Sequence, residues 1–478
     1  MIISLGRFVA NNDRDFPALS IRPFFLLLVC GALAACNKVA PESPPQASAP
    51  PGASVIADAP FTGVPEPKDA VIYQVNFRAF APTKNFAAVQ ARLDSIRALG
   101  VNVLYLMPIY PVGQIKGVNS PYCIKDYTAL NSEFGSLAEL RTLIAEAHKR
   151  NMAVLFDWVA DHTSWDNPWI THKSWYKQDA AGNIISPPGT GWLDVAALNY
   201  NSTEMRDAMI KAMTFWVSEA NIDGYRCDAA DFVPHDFWKQ AIDALRAIPG
   251  RKLLLLAEGT RKDNFAAGFQ LKYGMSFFTN LEKNVFGKKG SARSLDDLNA
   301  EEYANAPAAD QVVRYTSNHD MDLSDGTPLD LFGGKDGSLA AFVVAAYMKG
   351  VPMIYNGQEV GCPVKLSYFN TSTSIDWTMN PELTDTYEKI VNLRNSSEAI
   401  KQGKLSSFSS EDVCAFVKSY KSEEVLVVVN LRNSPVSYAI PSALSNTEWK
   451  DAYNGTEVTL TDHLELQPFQ YEVLRKQD

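Results

Sequence analysis

The sequence predicts a (β/α)8 barrel with a short inserted subdomain after its third strand and an all-β sandwich domain at its C-terminal end. Three observations carry this reading. Between residues 69 and 400, short apolar runs alternate with amphipathic stretches, the pattern of repeated βα units around a parallel sheet. That rhythm breaks once, over residues 162–202, where no helical period is visible. Past residue 400 the texture changes to short alternating runs separated by turn residues. A chain of 478 residues with 46% hydrophobic content is long enough for a large barrel plus something smaller.

Eight runs read as strands: 71–77, 101–107, 153–158, 223–227, 253–257, 275–279, 312–316 and 351–355. Helical periods lie between most of them, for instance over 137–150, 204–220 and 237–248, with Ser136 and Thr203 available as N-caps. Eight such units predict the barrel. The break runs through His172-Lys173-Ser174-Trp175-Tyr176 and Pro187-Pro188-Gly189, an insertion after strand three. In the domain predicted over 401–478, runs such as 425–431 and 472–474 are punctuated by Asn433-Ser434-Pro435 and Asn454-Gly455.

The N-terminal end reads differently. Arg22, an apolar run over 24–33 and then Leu33-Ala34-Ala35-Cys36 form an export signal with a lipobox-like end. The run is shorter than the ~20 apolar residues that a bilayer crossing needs. Residues 1–36 are therefore read as a signal peptide with its lipobox, cleaved before Cys36, which becomes the lipid-carrying N-terminus of an exported, membrane-anchored protein. Residues 37–68, rich in Pro, Ala and Ser, read as a tether. The remaining cysteines, Cys123, Cys227, Cys362 and Cys414, have neither close pairs nor zinc-ligand spacing, so no zinc site is expected and disulfide pairing stays open. A formal charge of −10 argues against a nucleic-acid partner and suits a neutral one.

In this type of barrel the reactive groups sit where strands end, at the carboxyl face. Three acids occupy such places: Asp228 closing Gly224-Tyr225-Arg226-Cys227-Asp228, Glu258 after the apolar run 253–257, and Asp320 ending Ser317-Asn318-His319-Asp320. A lone strand-end acid is usually a helix cap or a solvated turn. Three on one face are harder to dismiss. Arg226 lies two residues before Asp228, so on a strand both side chains point the same way, and the guanidinium favours an ionised carboxylate. Asp228 suits a nucleophile, whereas apolar neighbours let Glu258 keep a proton and suit it to a general acid. Two such carboxyls are what hydrolysis of a glycosidic bond requires. A purely structural Arg226–Asp228 salt bridge is the plain alternative.

Four segments resemble the signature regions of the α-amylase family, glycoside hydrolase family 13, in the family's order. They are Asp157-Trp158-Val159-Ala160-Asp161-His162, Gly224 through Ala230, Ala257-Glu258-Gly259 and Ser317-Asn318-His319-Asp320. Tyr73-Gln74, Arg78 with Phe80, Tyr122 through Tyr127 and Ile354 through Glu359 are similar to family patterns too. The resemblance implies Asp228 as nucleophile, Glu258 as acid/base and Asp320 as the residue that distorts and stabilises the sugar. It also implies hydrogen bonds to the reacting sugar from His162, Arg226 and His319, with Tyr122 stacked beneath the ring. The implied activity is retaining hydrolysis of α-1,4-glucans or maltooligosaccharides. α-Glucosidase or transglycosylase action on the same barrel is the neighbouring reading, and a surface glycan-binding lipoprotein is the reading from another class. A phosphate-binding barrel is disfavoured, because Gly333-Gly334-Lys335 lacks the phosphate-loop spacing.

Two departures stand out. The family usually has Asn as a calcium ligand where this chain has Asp161, so no cofactor is certain and calcium is the one the resemblance raises. The family commonly continues its second region with Lys-His, where this chain has Asp231-Phe232. Loss of that cation is expected to weaken the grip on a long leaving group and to favour short substrates.

Overall fold

The computed structural model describes residues 59–304, 306–370 and 373–477. The export signal, Cys36 and all of the tether before residue 59 lie outside the described residues. In chain order the strands are β1 (Ile72–Val75), β2 (Val103–Leu106), β3 (Ala153–Val159), β4 (His162–Ser164), β5 (Val195–Ala197), β6 (Gly224–Asp228), β7 (Leu254–Ala257), β8 (Leu271–Tyr273), β9 (Gln311–Tyr315) and β10 (Val351–Tyr355). All but β4 and β5 close into one parallel barrel, in the order β1-β10-β9-β8-β7-β6-β3-β2. Its strands are buried almost throughout, which is why they read as continuous apolar runs rather than alternating ones.

One predicted strand is a helix. Residues 275–279 form the helical turn Met275–Thr279, which continues as a π-helical turn over Asn280–Phe286, and the sixth barrel strand is the short β8 just before it. A five-residue apolar run cannot be told from a buried helix by periodicity. Here Phe277 and Phe278 are buried from a helix, while β8 pairs Lys272 with Val312. The N-cap of the helix Thr203–Glu219 is Ser202, one residue earlier than expected: its side chain accepts from Met205 N. Ser136 does cap the helix Leu137–Lys149, in a reciprocal box with Glu139.

The interval 162–202 is built on the antiparallel pair β4–β5, with 3-10 turns at Pro168–Thr171 and Lys173–Trp175. Strand β6 starts at Gly224, whose φ of 147° places a would-be Cβ 1.8 Å from the carbonyl oxygen of Leu254. Only glycine lets β6 approach β7 that closely.

After the helix Pro381–Ser396 come β11 (Lys404–Ser407), β12 (Val413–Tyr420), β13 (Glu423–Asn430), β14 (Val436–Ala439), β15 (Thr447–Asp451), β16 (Glu457–Leu460), β17 (His463–Leu466) and β18 (Tyr471–Gln477). Six of them make one sheet, β11-β12-β13-β18-β15-β16, and β14 pairs with β17. Period-two alternation sorts the large sheet into two faces. Val413, Ala415, Val417, Leu426 and Val428 pack with Tyr438 and Leu466 of the smaller pair. Cys414, Phe416, Val425, Val427 and Val429 join the apolar cluster of the barrel. Lys418 is fully buried on β12, where its Nζ donates to Met348 O at 3.2 Å. Cys123, Cys227, Cys362 and Cys414 are all free and buried. Among the described residues no helix is long and apolar enough to cross a membrane.

Residues 59–66 are pinned beneath the barrel. Asn221, just ahead of β6, donates to Ala59 O, and Phe61 stacks on His148 with ring centroids 4.2 Å apart. Lys252, just ahead of β7, donates to Val64 O at 2.9 Å and pairs with Glu66 at 2.7 Å.

Candidate active site

The carboxyl ends of β3, β6, β7 and β9 bring Asp157, Arg226, Asp228, Glu258, His319 and Asp320 to one mouth. Arg226 is its hub. Nη1 donates to Asp157 Oδ1 at 2.7 Å and to Asp228 Oδ1 at 2.9 Å. Nη2 lies 2.5 Å from Glu258 Oε1, although no N–H of Nη2 is aligned on a hydrogen-bond partner. We take that contact as an ion pair. Burial opposes the charge on Arg226, but Asp157 and Glu258 outweigh it and hold the group above its ordinary range.

Arg226 was expected to keep Asp228 ionised. The balance is different: burial lifts both Asp228 and Asp157 above the usual carboxylate range, Arg226 opposes the rise, and Glu258 adds to it. One guanidinium faces three largely buried acids, so it cannot neutralise them all.

Glu258 is fastened to the turn that follows β6. Its Oε2 accepts from Ala229 N at 2.8 Å and its carbonyl accepts from Ala230 N at 2.9 Å. Ala229 adopts the left-handed conformation, with φ 42° and ψ 43°, directly after Asp228. Strain of this kind in a non-glycine residue marks a site that its surroundings over-determine.

A second chain of contacts runs along the opposite wall. Gln74 Nε2 meets His319 Nδ1 at 2.7 Å, which leaves the ring proton on Nε2, 2.6 Å from Tyr122 Oη. Tyr122 and Tyr105 both donate to Asp157 Oδ2, at 2.9 and 2.6 Å. Burial, with Arg226 adding, pushes the His319 pKa down to about 3, so the ring is neutral. Tyr122 lies face to face with His319, its centroid 5.2 Å away. Tyr368 donates to Asp320 Oδ1 at 2.9 Å. His162 sits beside Tyr122, with Nε2 3.1 Å from Tyr122 O.

The sequence-predicted residues thus converge. Asp157 is an addition to them: it lies within the first signature segment, and its signal is an acid inside an otherwise apolar strand. Tyr105 is hidden among apolar neighbours on β2, and Tyr368 comes from a loop after β10 with no local signature.

Asp161 is buried, and its Oδ1 lies 2.9 Å from His162 Nδ1. Both Asp161 oxygens lack an aligned hydrogen bond, which a cation would satisfy. Yet among the described residues no group of three or more His, Cys, Asp or Glu side chains could hold a metal, and calcium takes six to eight oxygens. Carboxylates and imidazoles alone therefore do not compose a calcium cage here.

Asp231 lies in the 3-10 turn Ala230–Phe232 that follows β6. Its carboxylate accepts from the turn that follows Glu258, with Thr260 N at 2.7 Å and Asn264 Nδ2 at 3.0 Å. Phe232 points outward, 54% exposed, with Trp192 5.6 Å away and the His162 ring beyond it. Trp192 and Phe232 form an aromatic ledge beside His162.

A parallel barrel with acids gathered on one guanidinium at its carboxyl-end mouth has the layout of a barrel enzyme that works through carboxyl groups. The family profile described as alpha amylase, catalytic domain matches residues 82–182 and 191–385, and one described as maltogenic amylase, C-terminal domain matches 406–473. The chain belongs to the alpha-amylase family. It is 24% identical over 441 residues to alpha-amylase MalA of Haloarcula japonica, covering 86% of this chain and 63% of that protein. Against alpha-amylase 2 of Dictyoglomus thermophilum it is 25% identical over 424 residues, covering 82% and 71%. Its fold matches that of a maltogenic alpha-amylase, AmyB, from Thermotoga neapolitana, with a TM-score of 0.76 at 24% identity over 87% of this chain and all of that one.

Proposed function

We propose that this hydrolase cleaves α-1,4-linked glucans, short maltooligosaccharides above all, by double displacement with net retention. One observation carries the reading: Asp228 and Glu258 leave adjacent strand ends and flank the same guanidinium. In the first step an Asp228 oxygen bonds to the anomeric carbon as the bond to the leaving oxygen breaks, and Glu258 gives that oxygen its proton. In the second, Glu258 takes a proton from water, the water oxygen bonds to the anomeric carbon, and Asp228 is released. Arg226 offsets the charge on the departing carboxylate, and Asp320, oriented by Tyr368, holds sugar hydroxyls. The preference for short substrates is supported by the Trp192–Phe232 ledge, which offers stacking to one or two leaving sugars where a cation would grip a longer chain. The maltogenic name of the matching C-terminal profile and of the Thermotoga relative points the same way.

Asp228→Ala and Glu258→Gln should each lower kcat on maltoheptaose by about 10²-fold to 10⁴-fold or more without loss of fold. Substantial turnover in either variant refutes the role assigned to that residue. Proton NMR should show the α-anomer as the first product, and a β-anomer would refute retention. On long amylose, iodine staining should fall no faster than reducing sugar appears; a rapid early fall would mean internal cleavage of long chains.

The export reading belongs to the same proposal. Cys36 carries lipid and holds the enzyme on a membrane, so Cys36→Ser should release it to the soluble fraction. An unmodified mature N-terminus elsewhere, found by mass spectrometry, would refute the anchor.

A further inference from the structure

We infer that Asp231 is a positioning residue for Glu258: its carboxylate sets where the acid/base group sits relative to the leaving oxygen. This rests on the role proposed for Glu258.

The turn after β6 and the turn after β7 hold each other reciprocally. From the first turn, Ala229 N donates to the Glu258 carboxylate and Ala230 N to its carbonyl. From the second, Thr260 N donates to Asp231 Oδ2 at 2.7 Å, Thr260 Oγ1 at 3.2 Å and Arg261 N at 3.2 Å. Asn264 Nδ2 closes the set on Asp231 Oδ1. Gly259 lies between Glu258 and these donors, and a Cβ there would fall 2.1 Å from Asp231 Oδ1. Glycine and aspartate are therefore matched: the absent side chain lets the carboxylate reach the backbone on the far side of Glu258.

The consequence for the reaction follows from connectivity. Glu258 follows β7, and the residues just beyond it belong to no strand. The N–H groups of Thr260 and Arg261 are instead gathered by Asp231, which adds a further fixed point just beyond Glu258 to the one that Ala230 N gives its carbonyl. Backbone N–H bonds to an ionised acceptor are the stronger kind. Proton donation to the leaving oxygen depends on sub-ångström placement, and a misplacement of about 1 Å can cost roughly 10²-fold. Asn at 231 would present one acceptor and one misdirected donor, whereas Ala would present nothing.

The test separates placement of the acid from general damage to the fold. Wild type, Asp231→Ala and Asp231→Asn are assayed on two aryl α-maltosides, one with a poor leaving group (4-methoxyphenyl) and one with a good one (2,4-dinitrophenyl). Departure of the second needs little proton assistance. For Asp231→Ala we expect kcat/KM to fall about 10²-fold on the poor leaving group and no more than about threefold on the good one. Asp231→Asn should fall in between. Equal losses on both substrates, or no loss on either, would overturn the inference. Glu258→Ala is run alongside: a kcat/KM loss confined to the poor leaving group, together with a kcat on the good one that added azide raises by attacking the glycosyl-enzyme in place of base-activated water, shows that the acid/base role stands whatever Asp231 does. If Glu258→Ala shows no such selectivity, the role of Glu258 fails first and the inference falls with it.

Discussion

Neutral His319 is bound into the site by its protonation state. Its Nδ1 accepts from Gln74 and its Nε2 proton reaches Tyr122, so a second proton would leave a donor facing a donor. The folded-state pKa of about 3 lies below the unfolded value of roughly 6.5, so stability from this group is present above pH 6.5 and is lost as the pH falls toward 3. The slope is about 1.4 kcal/mol per pH unit in that window. Denaturant titrations of wild type and His319→Gln at pH 7, 6, 5 and 4 should show the gap between them narrowing at about that rate below pH 6. A constant gap would mean that the ring is not held neutral. At this scale the sequence was most legible where polarity interrupts an apolar run, as at Arg226, Asp228 and Glu258. It was least legible where a group acts through a distant partner. Nothing near Tyr368 says that its hydroxyl will meet Asp320, and nothing near Asp231 says that its carboxylate will turn toward Thr260.

Among the elements, β6 carries the heaviest constraint. It must bring Arg226 and Asp228 against β7, and Gly224 is what permits the approach. Gly224→Ala would drive a methyl group into a backbone carbonyl that cannot yield without parting two strands of a closed barrel. The expected cost is more than about 3 kcal/mol, read as a loss of soluble protein or a fall in Tm of several degrees. A variant with unchanged Tm would show that the barrel relaxes there. Seven of the eight barrel strands could be read because double-sided burial makes them apolar and turn residues bound them. The sixth could not, since β8 is only three residues long, contains Lys272, and is followed at once by a helical run that is more apolar than itself. The insertion was visible only as a loss of period, because its strands β4 and β5 are three residues each.

For the molecule as a whole, the seam between barrel and C-terminal sheet contains one costly group. Burial pushes Lys418 down to about pKa 7, with Lys349 and Arg394 adding. Since this lies below the unfolded value of roughly 10.4, the seam loses stability as the pH falls from there to 7, and the penalty stays constant below. Lys418→Met keeps the apolar stem and removes the ammonium, so Tm should rise, and by more at pH 6 than at pH 9.5. An equal or opposite change would mean that the bond to Met348 O outweighs the cost of burial. The two-faced character of β12 and β13 was readable from their alternation in the sequence, but that alternation does not say which face meets the barrel. A lysine within it reads as solvated until the barrel is packed against it.

The pinning of residues 59–66 under the strand origins has a directional consequence. Ala59 lies at the floor of the barrel, where the strands begin, while Asp228 and Glu258 open on its ceiling. The point at which the described chain starts is therefore on the face opposite the acids, clear of the cup that a sugar enters.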